Sequence, residues 1–348
     1  MSHKKPLFEK RRLYPLLVIG LLIAGGMIRK NMLSGSAENS WVELAGRTMG
    51  TTYSVKYSAP GGEDYQQAID SVLRLVNASV SPYIYDSEIS EFNRNGKVRL
   101  KLPYFKPIFE ASKNIYRETG GAFNPTVMSL VQAWGFGPKQ KQHMDRAKVD
   151  SLLRLVNFDA VRLSGKEVST SVPHVQLDFG AIAKGYGIDV VVKLLQEKGA
   201  RDLMVEIGGE VVCKGRNAHG KAWQIGINDP EAGMEQRAAA SLSLTNEALA
   251  TSGNYRNYYE ENGVKYAHTI SPFTGYPKMQ TLLSASVVAP DCMTADAYAT
   301  AFMVLGLEGA KKVLAKHPEL GACLIFSGAN GEVTTFVTDN LKERLRKY

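Results

Sequence analysis

The spacing of hydrophobic and polar positions changes several times along this chain, and each change marks an element. Leu13 to Ile28 (LYPLLVIGLLIAGGMI) is an uncharged apolar run, a little short for an average membrane span and long for the core of a signal peptide. A polar linker, Asn31 to Ser40, follows. The alternation of Thr51 to Tyr57 (TTYSVKY) then predicts a strand, introduced by Gly46-Arg47-Thr48-Met49-Gly50. Glu63 to Val80 has the period of an amphipathic helix. A second helix is predicted over Pro107 to Thr119, closed by the Gly120-Gly121 pair. Residues 138 to 150 are polar and basic and predict a surface excursion.

Strand-like and helical patterns interleave beyond that point: His174 to Phe179, Tyr186 to Lys198, Leu203 to Cys213 and Trp223 to Ile227. Tyr266 to Ile270 and Ser284 to Ala289 predict further strands. Thr294 to Leu307 and Glu308 to Lys316 predict helices, and Cys323 to Phe326 with Val333 to Val337 predict a closing hairpin. Mixed alternation of this kind excludes a helical bundle and points to an α+β or α/β fold.

Charge narrows the partners. The 348 residues carry a formal net charge of +8. Lys4, Lys5, Lys10, Arg11, Arg12, Arg29 and Lys30 stand against Glu9 alone, so six of those charges belong to the first 30 residues. The remainder is close to neutral and has no footprint for a polyphosphate backbone, which argues against nucleic acid as a partner. By the positive-inside rule the basic residues 1 to 12 stay in the cytoplasm and the rest is exported. Arg29 and Lys30 interrupt the approach to Ser34-Gly35-Ser36, so an uncleaved, single-pass anchor over 13 to 28 is expected, with a linker over 29 to 40 and one domain from 41 to 348. No cysteine near the apolar run offers a lipid attachment point. Cys213, Cys292 and Cys323 are odd in number and lack CxxC spacing, which predicts no disulfide framework. Cys213 and Cys323 read as small buried apolar residues. The six histidines show no paired zinc spacing.

Two segments carry candidate chemistry. In the helix after Pro290-Asp291, Met293, Asp296, Thr300, Met303 and Leu307 recur at steps of three and four and share one stripe. A carboxylate on an otherwise apolar face must be paired, hydrogen-bonded or bound to a cation. Oxygen from Asp296 and Thr300 suits Mg²⁺ or Ca²⁺ better than zinc. Asp296 can instead cap the helix, as Asp291 or Thr294 also can. In His174 to Phe179, Asp178 falls on the face opposite Val175, Leu177 and Phe179; Gly180, Gly185 and Gly187 follow, which allow either tight packing or close approach to a phosphate at a helix start. His268 is a candidate general base or a structural strand histidine. Arg256 can hold a phosphate or cover a surface.

These residues also sit within an ordered series of motifs. GRTMGTTY (46 to 53), SPYIYDSEISEFN (81 to 93), GGAFNPTV with WGFG (120 to 137), LDFGAIAKGYGID (177 to 189), VEIGGEV (205 to 211), ATSGNYRNYY (250 to 259), HTISPFTGYP (268 to 277) and APDCMTADAYAT (289 to 300) resemble the ApbE family of FAD:protein FMN transferases, from Trp41 to the carboxyl terminus.

The resemblance implies a T-fold-related α+β domain with a flavin cleft between a larger, sheet-containing part and a smaller helical part. It implies an extracytoplasmic, membrane-tethered enzyme that takes FAD as substrate, expels AMP and attaches FMN to a threonine or serine hydroxyl of a flavoprotein. By the same resemblance Met49, Tyr83, Ala122, Phe123, Asn124, Asp178, Lys184 and Ile270 would line the FAD site. The Ala181 carbonyl, Asp296 and Thr300 would bind Mg²⁺, and His268 would serve as base. Acceptors would be flavin-carrying subunits of redox-driven ion pumps of the Na⁺-translocating NADH:quinone reductase or Rnf type. The chain departs from the family pattern at Asn124, where many members carry aspartate, and at Lys184, acidic in some relatives. A metal-dependent FAD hydrolase and a flavin-binding module without chemistry are the rival readings.

Overall fold

The fold is built on a sheet of eight strands in which every neighbouring pair is antiparallel. The computed structural model describes residues 39–137, 140–230, 237–253, 258–261, 264–267, 269–277, 281–328 and 330–348. In chain order the elements are β1 (Asn39–Thr48), β2 (Thr51–Pro60), α1 (Gln66–Val80), α2 (Glu88–Asn95), β3 (Lys97–Arg99), α3 (Phe105–Glu118), α4 (Met128–Ala133), α5 (Arg146–Leu153), β4 (Val161–Ser164), β5 (Glu167–Thr170), α6 (Ala183–Glu197), β6 (Leu203–Ile207) and β7 (Glu210–Lys214). There follow β8 (Trp223–Asn228), β9 (Ala238–Leu244), β10 (Glu247–Gly253), β11 (Tyr258–Glu261), β12 (Val264–Ala267), β13 (Leu282–Ala289), α7 (Cys292–Leu314), β14 (Gly321–Ser327), β15 (Val333–Val337), α8 (Asp339–Lys342) and β16 (Leu345–Lys347). The large sheet runs β1-β2-β6-β7-β10-β13-β14-β15; β3, β5 and β4 form a small sheet, as do β16, β9 and β8.

The central strands are apolar on both faces because both are covered. Val212, Ala250, Val287 and Leu324 point into the core shared with α6 and α7. Their chain neighbours Val211, Leu249, Val288 and Ile325 point the other way, against Trp223, Ile227 and Leu242 of the three-stranded sheet. Alternation therefore reads here as a continuous apolar run, and burial of each large side chain contributes about 1.5–3 kcal/mol. A smaller cluster, Leu130, Trp134, Val149 and Ile270, forms beside α4 and α5. All three cysteines are buried and free.

Several predicted elements change shape. Leu203 to Cys213 is a hairpin, β6 and β7, reversed at Gly208-Gly209, both with positive φ. His174 to Phe179 is extended, with Val175, Leu177 and Phe179 buried as predicted, but it joins no sheet. The Asn93 side chain serves in place of a neighbouring strand, donating to the Leu177 carbonyl at 2.8 Å and accepting from its N–H at 2.6 Å. Residues 146–153 of the predicted surface excursion form α5, started by the Asp145 side chain accepting from Lys148 N and seated by fully buried Val149. The two predicted C-terminal helices are both present along α7, parted by non-helical backbone at Gly306 (φ 75°, ψ −179°), next to the predicted boundary at Leu307. The last two residues of the predicted linker, Asn39 and Ser40, already pair with β2. No helix among the described residues is long and apolar enough to cross a membrane; Leu13 to Ile28 lies outside them, as do Arg256 and His268.

Candidate active site

Two helix starts form the floor of the site, and glycine lets them meet. A methyl group on Gly185, near the start of α6, would lie 2.2 Å from the Cys292 carbonyl oxygen at the start of α7. The close approach is fastened from both sides. Asp189 of α6 accepts from Cys292 N and Met293 N of α7 at 2.9 and 2.8 Å, and Asp296 of α7 accepts from Gly185 N at 3.1 Å. Burial pushes the Asp189 carboxyl up to about 7, against the pull of those two N–H donors. Asp189→Ala would strand both donors at the buried end of α7 and is expected to destabilise the protein by about 2–3 kcal/mol. An unchanged urea midpoint in that variant would remove Asp189 from this role.

This geometry removes one alternative for Asp296, the helix cap. The helix cap is Asp291, whose side chain accepts from Thr294 N at 2.8 Å. Asp296 sits inside the helix and is 2% exposed. Lys184 Nζ lies 3.8 Å from its Oδ1 and 3.0 Å from Oε1 of Glu210, itself 4% exposed at the start of β7. Burial alone would lower the Lys184 ammonium, but the two carboxylates hold it well above its ordinary range. Burial pushes the Glu210 carboxyl up to about 7, opposed by Lys184 and assisted by Asp296. Thr300 follows Asp296 by one helical turn, its Oγ1 3.1 Å from Ser252 Oγ at the end of β10.

Above this floor opens a cleft of about 1330 Å³, larger than the roughly 300–1,000 Å³ of an ordinary small-molecule pocket. It brings together residues from Met49 to Val304. Met49, Tyr83, Ala122, Phe123, Asn124, Asp178, Lys184 and Ile270 all border it, and so do Ala181, Asp296 and Thr300. Met49 sits at the tip of the β1–β2 turn with φ 49°, its methyl against Gly187 of α6. Tyr83 is 69% exposed at the rim. Ala122 and Phe123 are buried and border the cleft at the end of the α3 glycine turn, where Phe123 N donates to Thr119 Oγ1. Asn124 Oδ1 accepts from Thr126 N and Thr126 Oγ1 at 3.0 and 2.6 Å. An aspartate could accept both bonds equally well, so asparagine here leaves the turn intact. Burial raises the Asp178 carboxyl, against the Gly180 N–H that donates to it at 2.8 Å.

Sequence reading missed Glu210 and Ser252, which also border the cleft. Both stand inside quoted motifs, and a carboxylate opening the apolar run Glu210 to Cys213 directly after a glycine pair was the available signal for the first. Among the described residues Lys184 is the one cationic side chain bordering the cleft, against the carboxyls of Asp178, Glu210 and Asp296. No cluster of three or more His, Cys, Asp or Glu at metal-binding distance occurs among the described residues. Any cation held here would take carboxylate, hydroxyl and carbonyl oxygens, the hard donor set that Mg²⁺ accepts.

Fold and site together define a class: antiparallel α+β proteins with an extended cleft above two helix starts, of which α6 begins without a side-chain cap and α7 is capped by Asp291. The ApbE family model matches residues 49–324, and the chain belongs to that family. A relative from Haemophilus influenzae named FAD:protein FMN transferase is 39% identical over 311 residues, covering 85% of this chain and 90% of its own. A relative of the same name from Vibrio cholerae is 38% identical over 277 residues, covering 77% and 82%. The solved structure of the flavin transferase ApbE from Vibrio cholerae superposes with a TM-score of 0.80 at 33% identity, over 88% of this chain and 99% of that one.

Proposed function

We propose that this chain transfers FMN from FAD to a threonine or serine hydroxyl of a target flavoprotein, forming a phosphoester and releasing AMP. One observation carries the reading: the family's flavin and metal positions that are described here converge on one cleft, from Met49 to Thr300. The relatives named FAD:protein FMN transferase support the same reaction.

Charge argues that the ligand arrives with a cation. Among the described residues three carboxyls and one ammonium border the cleft, so a divalent ion accompanying a pyrophosphate would offset their repulsion. Asp296, Thr300 and the Ala181 carbonyl would hold Mg²⁺, which when bound neutralises the pyrophosphate and polarises its phosphorus toward attack. Lys184 and the start of α6 direct positive charge and N–H dipoles at the phosphates. Met49, Tyr83, Ala122, Phe123, Asn124, Asp178 and Ile270 would line the rest of the FAD. His268 would remove the proton of the acceptor hydroxyl as its oxygen attacks the phosphorus on the flavin side; the bond to the bridging oxygen breaks and AMP leaves. The reading extends to location: Leu13 to Ile28 anchors the chain in the cytoplasmic membrane, with residues 41 to 348 on the extracytoplasmic side. Acceptors are flavin-carrying subunits of redox-driven ion pumps of the Na⁺-translocating NADH:quinone reductase or Rnf type.

The test incubates the protein with FAD, Mg²⁺ and a candidate acceptor subunit, and follows acceptor mass and AMP. The expected result is an acceptor heavier by one FMN, a gain lost when His268→Ala replaces the wild type. AMP formed without labelling, with any acceptor offered, would favour hydrolysis of FAD by water. Neither signal would leave flavin binding alone.

A further inference from the structure

Glu210 is an unusual wall for a cleft that receives phosphates. It is buried, its Oε1 is 3.0 Å from Lys184 Nζ, and its Oε2 has no hydrogen-bond partner among the described residues. A carboxylate recruited to brace the fold would spend both oxygens on backbone or side-chain donors, as Glu88 does with Ser79, Lys101 and Leu102. Glu210 spends one, on an ammonium that also faces Asp296 at 3.8 Å.

We propose that Glu210 is a positioning residue that holds the Lys184 ammonium off Asp296, leaving the Asp296 carboxylate open to a divalent cation. The inference rests on the metal reading above. One ammonium lies between two buried carboxylates, and it can neutralise either. An ammonium seated on Asp296 occupies the oxygen and supplies the positive charge that a cation would otherwise bring, so the two compete directly. Glu210 gives the ammonium a nearer partner. The lysine stem runs past Gly208, where an added methyl would lie 3.4 Å from Lys184 Cδ, and its Nζ is 0.8 Å nearer to Glu210 than to Asp296, at 3.0 against 3.8 Å.

The experiment titrates Mn²⁺ alone into the purified full chain and reads free Mn²⁺ by electron paramagnetic resonance, with thermal melts of every variant. Glu210→Gln, nearly the same shape, is expected to weaken Mn²⁺ binding about 10- to 100-fold, the usual effect of losing a group that orients a metal ligand. The Lys184→Met, Glu210→Gln double variant removes the competing ammonium as well and is expected to bind within a few-fold of the wild type. Unchanged affinity in Glu210→Gln overturns the proposal. So does a double variant as weak as the single one, because Glu210 would then be a ligand itself. The double variant buries no unpaired charge from this pair and keeps the question answerable should Glu210→Gln fold poorly. Wild-type protein that binds Mn²⁺ no better than Asp296→Asn would overturn the metal reading, a result distinct from either of the others.

Discussion

Asp296→Asn is expected to keep the fold and lose about three orders of magnitude in FMN transfer. Asparagine keeps an oxygen for the Gly185 N–H that Asp296 accepts, so the bond between α6 and α7 can persist. What disappears is the negative charge, and with it the proposed hold on a divalent cation, which would be worth several kcal/mol of charge stabilisation, at about 1.4 kcal/mol per factor of ten in rate. Asp296→Ala adds a second loss, because the buried N–H is then stranded at a cost of about 1–3 kcal/mol. The pair of variants separates chemistry from architecture: both are expected to be inactive, and only alanine lowers the melting temperature appreciably. Wild-type transfer by the asparagine variant would remove Asp296 from the metal site.

Gly185→Ala carries the second large effect, with its sign opposite to helix propensity. Alanine in the interior of a helix is normally favoured over glycine by about 1 kcal/mol. Here the added methyl meets backbone, 2.2 Å from the Cys292 oxygen and 2.8 Å from Met293 N, and backbone cannot rotate away. The two helix starts must part, weakening the Asp189 bonds to α7 and the Asp296 bond to α6 together. We expect destabilisation of about 3 kcal/mol from overpacking and stranded donors. Transfer should fall along with stability, since Lys184 and Asp296 flank the contact. A variant that melts and transfers like the wild type would show that the helices tolerate wider spacing.

Much of this was legible before the structure, for physical reasons that differ by element. Helices α1, α3 and α6 announced themselves because each has one apolar face. Strand β9 (AAASLSL) went unread and the end of β10 (EALATSG), from Thr251, reads in sequence as the close of a helix, since alanine, serine and glycine carry weak strand preference and their pairing is imposed by neighbours. The extended stretch from Val175 to Phe179 had the alternation of a strand because one side is buried, but period cannot reveal that the Asn93 side chain and the Pro125 carbonyl stand in for a neighbouring strand. Candidate chemistry at Asp178, Asp296 and Thr300 was visible from spacing. The pairing of Lys184 with Glu210 was not, because 26 positions of chain separate residues that only the folded sheet brings to 3.0 Å.

The hairpin tip offers a last consequence. Met49 takes a left-handed backbone conformation in a two-residue turn, where glycine or asparagine would rest more comfortably. A branchless thioether in that position costs on the order of 1 kcal/mol. The turn thus holds a small reserve of stability that sequence optimisation could release, and releasing it would withdraw the side chain that reaches Gly187 at the edge of the cleft. Residue 49 is a point where a more durable protein and a better-fitted ligand wall call for different amino acids.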